Sequence, residues 1–305
     1  MSTSIITAAD LPAYLIPGMR SSTISYLYYQ NEYKNIFTIL PTIKNTEVDV
    51  QSVPLSAAAQ FSEGSEMPTG DMKQYLTTYS KMFQYGVGFI ITSISIEDNL
   101  YPDEFPKGLL GIKENLNIVK EQEAISVFDN GFSTADPQYT LADGQSYFSQ
   151  SHPVVGGAVS NTLTNSQLNE TVAEDLIKVI QSFKDNANLQ RKFEAKRYLV
   201  GIDNQFAAEI LTGSAYSPND TTNAINPLTY GEYLQGGFIL SHYMTNPKNF
   251  FMLTNLREGV VLYERKPLSI QMTTDQSNLN LGVYGSERYR FNVIDFRSAA
   301  GVQSF

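Results

Sequence analysis

The stretch NGFSTADPQYTLADGQSYFSQSHPVVGG, residues 130–157, gathers the residue types of nucleophilic catalysis. It holds Ser133, Ser146, Ser149 and Ser151, the acids Asp136 and Asp143, and His152, one of two histidines in the chain. A serine hydroxyl activated by an imidazole that a carboxylate orients would make an acyl-transfer site. The same residues also describe a polar loop. Triad members usually come from well-separated stretches, no GxSxG elbow is present, and Pro153 follows His152 directly. The spacing therefore favours a loop or hairpin histidine over a base.

Other chemistries find weaker support. His152 and His242 lack the HExxH pattern, and Asp136 and Asp143 lack the spacing of a calcium loop, although carboxylates distant in sequence can still converge on a hard cation. EDNLYPDEF carries Glu97, Asp98, Asp103 and Glu104, a set able to do acid–base work but more simply explained as acids preceding a helix. The glycines of YGVGFI sit in an apolar strand and GLLGIKENL is not followed by GK[ST], so neither cradles a phosphate. Lys184, Arg191, Lys192, Lys196 and Arg197 form a basic cluster diluted by Glu194, suited either to inter-subunit contact with an acidic patch, to phosphate, or to plain solvation. NET at 169–171 matches the glycan acceptor rule, which has no use without export.

Composition narrows the classes further. A chain of 305 residues with 42% hydrophobic and 17% charged residues can bury a sizeable core, in one elaborated domain or two. The net charge of −10 argues against a dedicated nucleic-acid binder, and suits a surface that lies near DNA without gripping it. With no cysteine there are no disulfides, thiolate metal sites or thiol nucleophiles. The opening MSTSIITAADLPAYLIPGMRSS does not read as a signal peptide, and VGFIITSISI is too short to span a bilayer, so a soluble, unexported protein without membrane contact is expected.

The elements that must position these residues follow from periodicity. Residues 1–45 contain Pro12, Pro17 and Pro41 and read as an extended arm with a short helix around SSTISYLYYQNEY, or as a segment folded on its own domain. Residues 46–80 read as two strands joined by a long tip with little to bury in its own subunit. YGVGFIITSISIED is expected as a strand. In KGLLGIKENLNIVKEQEAISVFDNG, Leu109, Ile112, Leu116, Val119 and Val127 recur at helical spacing, with Gly111 a weak point and Gly131 the expected C-cap. A second helix is predicted in TNSQLNETVAEDLIKVIQSFKDN, capped by Thr164 with Gln167 and buried through Leu168, Val172, Leu176, Val179, Ile180 and Phe183. A strand ending near Val200 precedes a short helix capped by Asp203, with Phe206, Ala207, Ile210 and Leu211 buried and Gly213 as its stop. Residues 214–230 read as loop. GGFILSHYM, NFFMLTNL and GVVLYERKPLSIQMTTD follow as strands, and LNLGVYGSERYRFNVIDFRSAAGV as a final strand pair. The order is mixed α+β, with no internal repeat.

Several of these pieces, in this order, resemble a phage major capsid protein of the HK97-like fold, in character nearest the major head subunits of Mu-like phages. SEGSEMPTGDMKQYLTTYSKMFQYGVGFIITSISIEDN resembles the family's extended β-hairpin loop and first peripheral strand, and GLLGIKENLNIVKEQEAISVFDNGF its spine helix. LADGQSYFSQSHP with SNTLT resembles its DG, F, HP and SN pattern. KRYLVGIDNQFAAEILTGS resembles its strand and short helix, and VVLYERKPLSIQMTTD with NVIDFR its closing strands. The likeness covers most of residues 55–298.

The resemblance implies an α+β chain with an N-terminal arm (1–45), an extended loop (46–80), a peripheral domain with a long spine helix (81–130), an axial domain (131–247), and closing peripheral strands with the C-terminus (248–305). It implies a non-enzymatic subunit that needs no cofactor or metal. Such subunits form hexamers and pentamers of an icosahedral head around double-stranded DNA, held without sequence-specific contact. The head is assembled in the host cytoplasm with a separate scaffolding protein and a portal. Glu63, Gly64, Met67 and Pro68 would lie in the loop that overlaps a neighbour, and Leu109, Ile112, Leu116 and Val119 would fasten the spine helix. The competing classes are another phage structural protein, such as a tail, sheath or decoration component, and a carboxylate-dependent hydrolase.

Overall fold

Long alternating stretches near the C-terminus supply the frame on which the rest is hung. In a computed structural model, residues 5–6, 31–55, 57–70, 73–98, 104–154, 157–164, 167–217, 224–230 and 233–304 are described. The helix expected around SSTISYLYYQNEY and most of the arm lie outside them. In chain order the elements are β1 (Ile5–Ile6), α1 (Tyr33–Ile36), β2 (Thr38–Pro41), β3 (Thr46–Val53), β4 (Lys73–Lys81), β5 (Phe83–Ile91), α2 (Ser93–Glu97), α3 (Glu104–Asp129), β6 (His152–Val154), β7 (Gly157–Val159), β8 (Thr162–Leu163), α4 (Glu170–Gln181), β9 (Ala195–Val200), α5 (Gln205–Gly213), α6 (Pro227–Tyr230), β10 (Phe238–Leu240), β11 (Phe250–Thr254), β12 (Val260–Thr274), β13 (Leu281–Val293) and β14 (Ala299–Val302). The fold is α+β.

The first sheet runs β1-β5-β13-β12-β2. Its centre is the antiparallel pair β12 and β13, with β5 antiparallel on the outer side of β13 and β2 parallel to β12. α3 lies across this sheet, burying Ile112 and Leu116 on Val283, with Leu109 packed beside them. Contact is close because Gly285 leaves room: a Cβ there would collide with Ile112 Cγ2.

The second sheet runs β10-β9-β11-β14-β8. β11 shows why it is hydrophobic throughout. Phe250 and Met252 face the cluster under α4, whereas Phe251 and Leu253 face a second cluster built by the end of α3 and β13. A strand covered on both faces needs apolar residues at every position. Residues 248–305 thus serve both sheets, β12 and β13 in the first, β11 and β14 in the second.

Aromatic residues join the two halves. Phe128, Phe132, Tyr147, Phe148 and Phe251 form a contiguous group, with Tyr147 stacked on Phe148 at 4.2 Å and Phe148 on Phe251 at 5.0 Å. Stacked and tilted rings at these separations stabilise beyond the area they bury.

Several local expectations are corrected. The strand at 85–98 ends at Ile91, because Thr92 caps α2 by accepting from the Ser95 amide. α3 runs unbroken through Gly111, and Gly131 does not cap it in a left-handed conformation. Gly131 lies in a 3-10 turn, Asn130–Phe132, where its missing side chain admits the Phe148 ring 2.9 Å from the Cβ position. α4 starts at Glu170, capped not by Thr164 with Gln167 but by Asn169, whose side chain accepts from the Val172 amide. Its predicted stripe holds: Leu168, Leu176, Ile180 and Phe183 are buried and Val172 and Val179 partly so. Asp203 does not cap α5, since a 3-10 turn at Ile202–Asn204 leads into the helix and leaves Asn204 at its start. Ala208 and Leu211 carry the burial of α5, while Phe206 and Ile210 face outward. Within 214–230 the chain forms the short α6. The terminal stretches β13 and β14 do not pair with each other: β14 pairs with β11 and β8.

Candidate interaction surfaces

The polar stretch around His152 is an internal clasp. His152 is fully buried, its Nδ1 2.7 Å from Asp143 Oδ2 and its Nε2 3.2 Å from both the Tyr147 carbonyl and Asn161 Oδ1. Asn161 Nδ2 in turn faces the carbonyls of Tyr147, Phe296 and Ala299 at 2.7–3.2 Å. All three neighbours of the ring are acceptors. The ring stacks flat on Phe296, centroids 3.9 Å apart. Among the described residues no serine hydroxyl bonds to it. Ser146 Oγ donates to the Phe148 carbonyl, and Ser149 Oγ bonds to Gln145. Asp136 and Ser133 cap local turns. The geometry holds residues 140–161 against 296–299.

The carboxylates are likewise dispersed. Glu97 lies in α2 and Asp98 closes it, whereas Asp103 and the Glu104 side chain fall outside the described residues. No group of three or more His, Cys, Asp or Glu residues is arranged to hold a metal among the described residues. No helix among them is long and apolar enough to cross a membrane.

Two buried charge clusters tie segments together. Lys120 of α3 lies 2.7 Å from Glu264 and 3.4 Å from Glu287, with its ammonium 4.7 Å from the Tyr289 ring centre. Burial disfavours its charge, but the Glu264 hydrogen bond and the Glu287 charge outweigh that and leave its pKa raised. Glu121 points into the junction of α3 with residues 31–37 and accepts from the Tyr33 amide at 3.1 Å. Its other oxygen has no partner among the described residues. Burial, with Glu32 nearby, pushes its pKa up to about 7.

The hairpin of β3 and β4 has an inverted pattern. Asp49 accepts from the Tyr263 hydroxyl, Gln51 Nε2 donates to the Ile294 carbonyl, and Asn292 donates to Ser80, so polar side chains face the body. Val48 (49% exposed), its cross-strand neighbour Tyr79 (71%) and Val50 face outward. Beyond Val53, every residue of 57–70 is exposed, including Glu63, Gly64, Met67 and Pro68. Gly64 turns the tip at φ +81°, a conformation other residues reach only with strain. A second outward apolar stripe is Ile202, Phe206 and Ile210, spaced four residues apart from the 3-10 turn into α5.

Three of the five residues of the predicted basic cluster are paired within the chain. Arg191 pairs with Asp185 at 2.7 Å, and Lys192 and Lys196 share Glu194, each at 2.7 Å. Those two hydrogen bonds hold the Glu194 carboxyl down at about 2. The Lys184 carbonyl accepts from the buried Arg297. Of the five, Lys196 and Arg197 alone reach a common cavity of about 710 Å³, where they meet Lys34 and Arg257. Sequence reasoning missed these last two, because the folding of 31–41 onto β12 alone brings them there. Of the residues expected to fasten the long helix, Ile112 and Leu116 are buried with Leu109 beside them, and Val119 is partly buried.

Known proteins offer parallels to this geometry. A family model described as "Phage capsid protein" matches residues 75–302. No curated protein matches the chain. Among solved structures, the capsid of the empty GTA particle is 12% identical over 99% of each chain, with a TM-score of 0.57. A Microbacterium phage Oxtober96 chain is 13% identical over 99% of this chain and 100% of its own, TM-score 0.56. The capsid of cyanophage P-SCSP1u is 10% identical over 95% and 92%, TM-score 0.57. At such identities the likeness is one of fold.

Proposed function

The chain belongs to the phage capsid protein family, and from that premise we propose that it is the major head subunit, building hexamers and pentamers of an icosahedral shell around double-stranded DNA. The observation that carries this reading is the β3–β4 hairpin, which turns Val48, Val50 and Tyr79 away from its own body and leaves residues 57–70 wholly exposed. Apolar surface presented this way is stabilised only when something else covers it. In this reading α3 is the spine helix, residues 1–45 the arm, the sheet around β9 and β11 the core of the axial domain, and the head subunits of Mu-like phages its kin in character.

The role is structural rather than enzymatic. Supporting this, His152, the candidate base of the 130–157 stretch, is fully buried and engaged by acceptors. A tail, sheath or decoration protein predicts a topology without a long helix and a projecting hairpin together, and both are present here. A scaffolding protein and a portal are the expected partners during assembly in the host cytoplasm, and the finished shell is part of the virion. The net charge of −10 suits a lining that encloses DNA without adhering to it.

Electron microscopy of the purified protein under assembly conditions, with mass measurement, tests the proposal. Closed shells or rings of five and six subunits are expected. Small monomers alone, even with a candidate scaffold added and native lysate inspected, would overturn it.

A further inference from the structure

The cavity of about 710 Å³ between residues 34–38 and the second sheet has the size of a binding cleft rather than a surface dent. Lys34, Lys196, Arg197 and Arg257 line it, with Leu253, Leu256 and Val260 among its apolar walls. Lys196 is engaged by Glu194, but among the described residues Lys34, Arg197 and Arg257 make no ion pair. Lys34 also lies over the Tyr33 ring, 5.9 Å from its centre. In a chain of net charge −10, three cations without an ion pair around one cleft suit an anionic occupant.

The hairpin tip has the complementary chemistry. From Pro54 to Met72 the sequence contains no lysine or arginine, and Glu63 and Glu66 stand among the exposed apolar side chains Leu55, Phe61 and Met67. Residues 57–70 are exposed throughout, so the tip does not fill the cleft of its own chain. We propose that the tip of a second copy docks in this cleft, placing Glu63 and Glu66 against Arg197, Arg257 and Lys34 and apolar tip side chains on the Leu253–Val260 wall. The inference rests on the head-subunit reading and deepens it by naming the receiving surface. A nucleic-acid phosphate would satisfy the cations but leave the apolar wall uncovered, whereas the tip supplies both kinds of group. Opposite charges meeting at a partly exposed cleft fix register and weaken with added salt.

The absence of cysteine makes the test direct. Ser65→Cys in one copy and Gln235→Cys in another, both at exposed positions, are mixed under assembly conditions and treated with a short bis-maleimide. A crosslinked dimer is expected from the mixture, at least tenfold above either variant alone. In the same assay Arg197→Glu with Arg257→Glu should lower crosslinking and shell yield at least tenfold, and Glu63→Lys with Glu66→Lys in the partner copies should restore them. If the Arg197 pair fails to fold, as judged by thermal melting, Lys34→Glu with Arg257→Glu, both at exposed positions, replaces it.

Shells that form without the 65–235 crosslink, or that ignore charge reversal, overturn the docking while leaving the head-subunit reading intact. Charge reversal that spares the shells but abolishes binding of a fluorescent DNA duplex also overturns it, in favour of nucleic acid. A wild-type chain that forms no assembly and no crosslink overturns both.

Discussion

A carboxylate at Glu121 accepts from the Tyr33 amide and meets a neighbouring acid at Glu32, in a site only 2% exposed. Desolvation therefore dominates and lifts its pKa from 4.5 to about 7. A pKa raised in the folded state means that the protonated acid is the one the fold prefers. The stability it allows is complete below pH 4.5 and declines as pH rises through 7. Glu121→Gln keeps the shape without the charge. It should raise unfolding free energy at pH 8 by about 1–3 kcal/mol and change it little at pH 4. Denaturant midpoints across that range check this, and a variant that tracks the wild type at every pH would defeat the assignment. Nothing in KEQEA marks Glu121 as buried beside a second acid, because Glu32 and Tyr33 reach it from 88 residues away. The same holds for His152: its residue type was visible in the sequence, but its engagement by Asp143, Asn161 and Phe296 is a property of the fold.

At the level of elements, periodicity was most legible where one helix face meets one sheet. The stripe of α4 and the Ile112, Leu116 face of α3 were readable because a 3.6-residue repeat of large apolar groups fits a half-buried helix and little else. α5 misled because Phe206 and Ile210 continue a plausible stripe yet face outward, and periodicity alone does not tell which side of a short helix meets its own sheet. Caps were displaced for a local reason: Asn169 and Thr92 close nearer helix starts than Thr164 or the strand pattern suggested. Gly111 supplies the test at this scale. It sits in an unbroken helix, and a Cβ added there meets nothing within 4 Å. Gly111→Ala should therefore stabilise by about 0.5–1 kcal/mol through lost unfolded-state freedom, read as a higher denaturant midpoint. Destabilisation would mean that α3 is strained or contacted at that turn.

For the whole molecule, the decisive asymmetry is between a body that buries its own core and a hairpin that buries nothing beyond its base. The base is anchored by Asp49 on Tyr263, Gln51 on the Ile294 carbonyl and Asn186 on the Ser52 carbonyl. The sequence showed that the tip lacks a core, but not that β3 turns Val48 and Val50 outward, since strand alternation reads the same with either face inward. Removing residues 57–68 takes away only exposed groups and shortens the connection between two strands already paired from Thr46–Lys81 to Val53–Lys73. Shortening a flexible loop lowers its closure entropy cost, so the truncated chain should fold with an unfolding free energy within about 1 kcal/mol of the parent. Circular dichroism and denaturant titration check that half of the prediction, and electron microscopy checks the other: folded subunits that no longer close into shells. If truncated subunits still gave shells of normal size and yield, the tip would have no part in joining one subunit to the next.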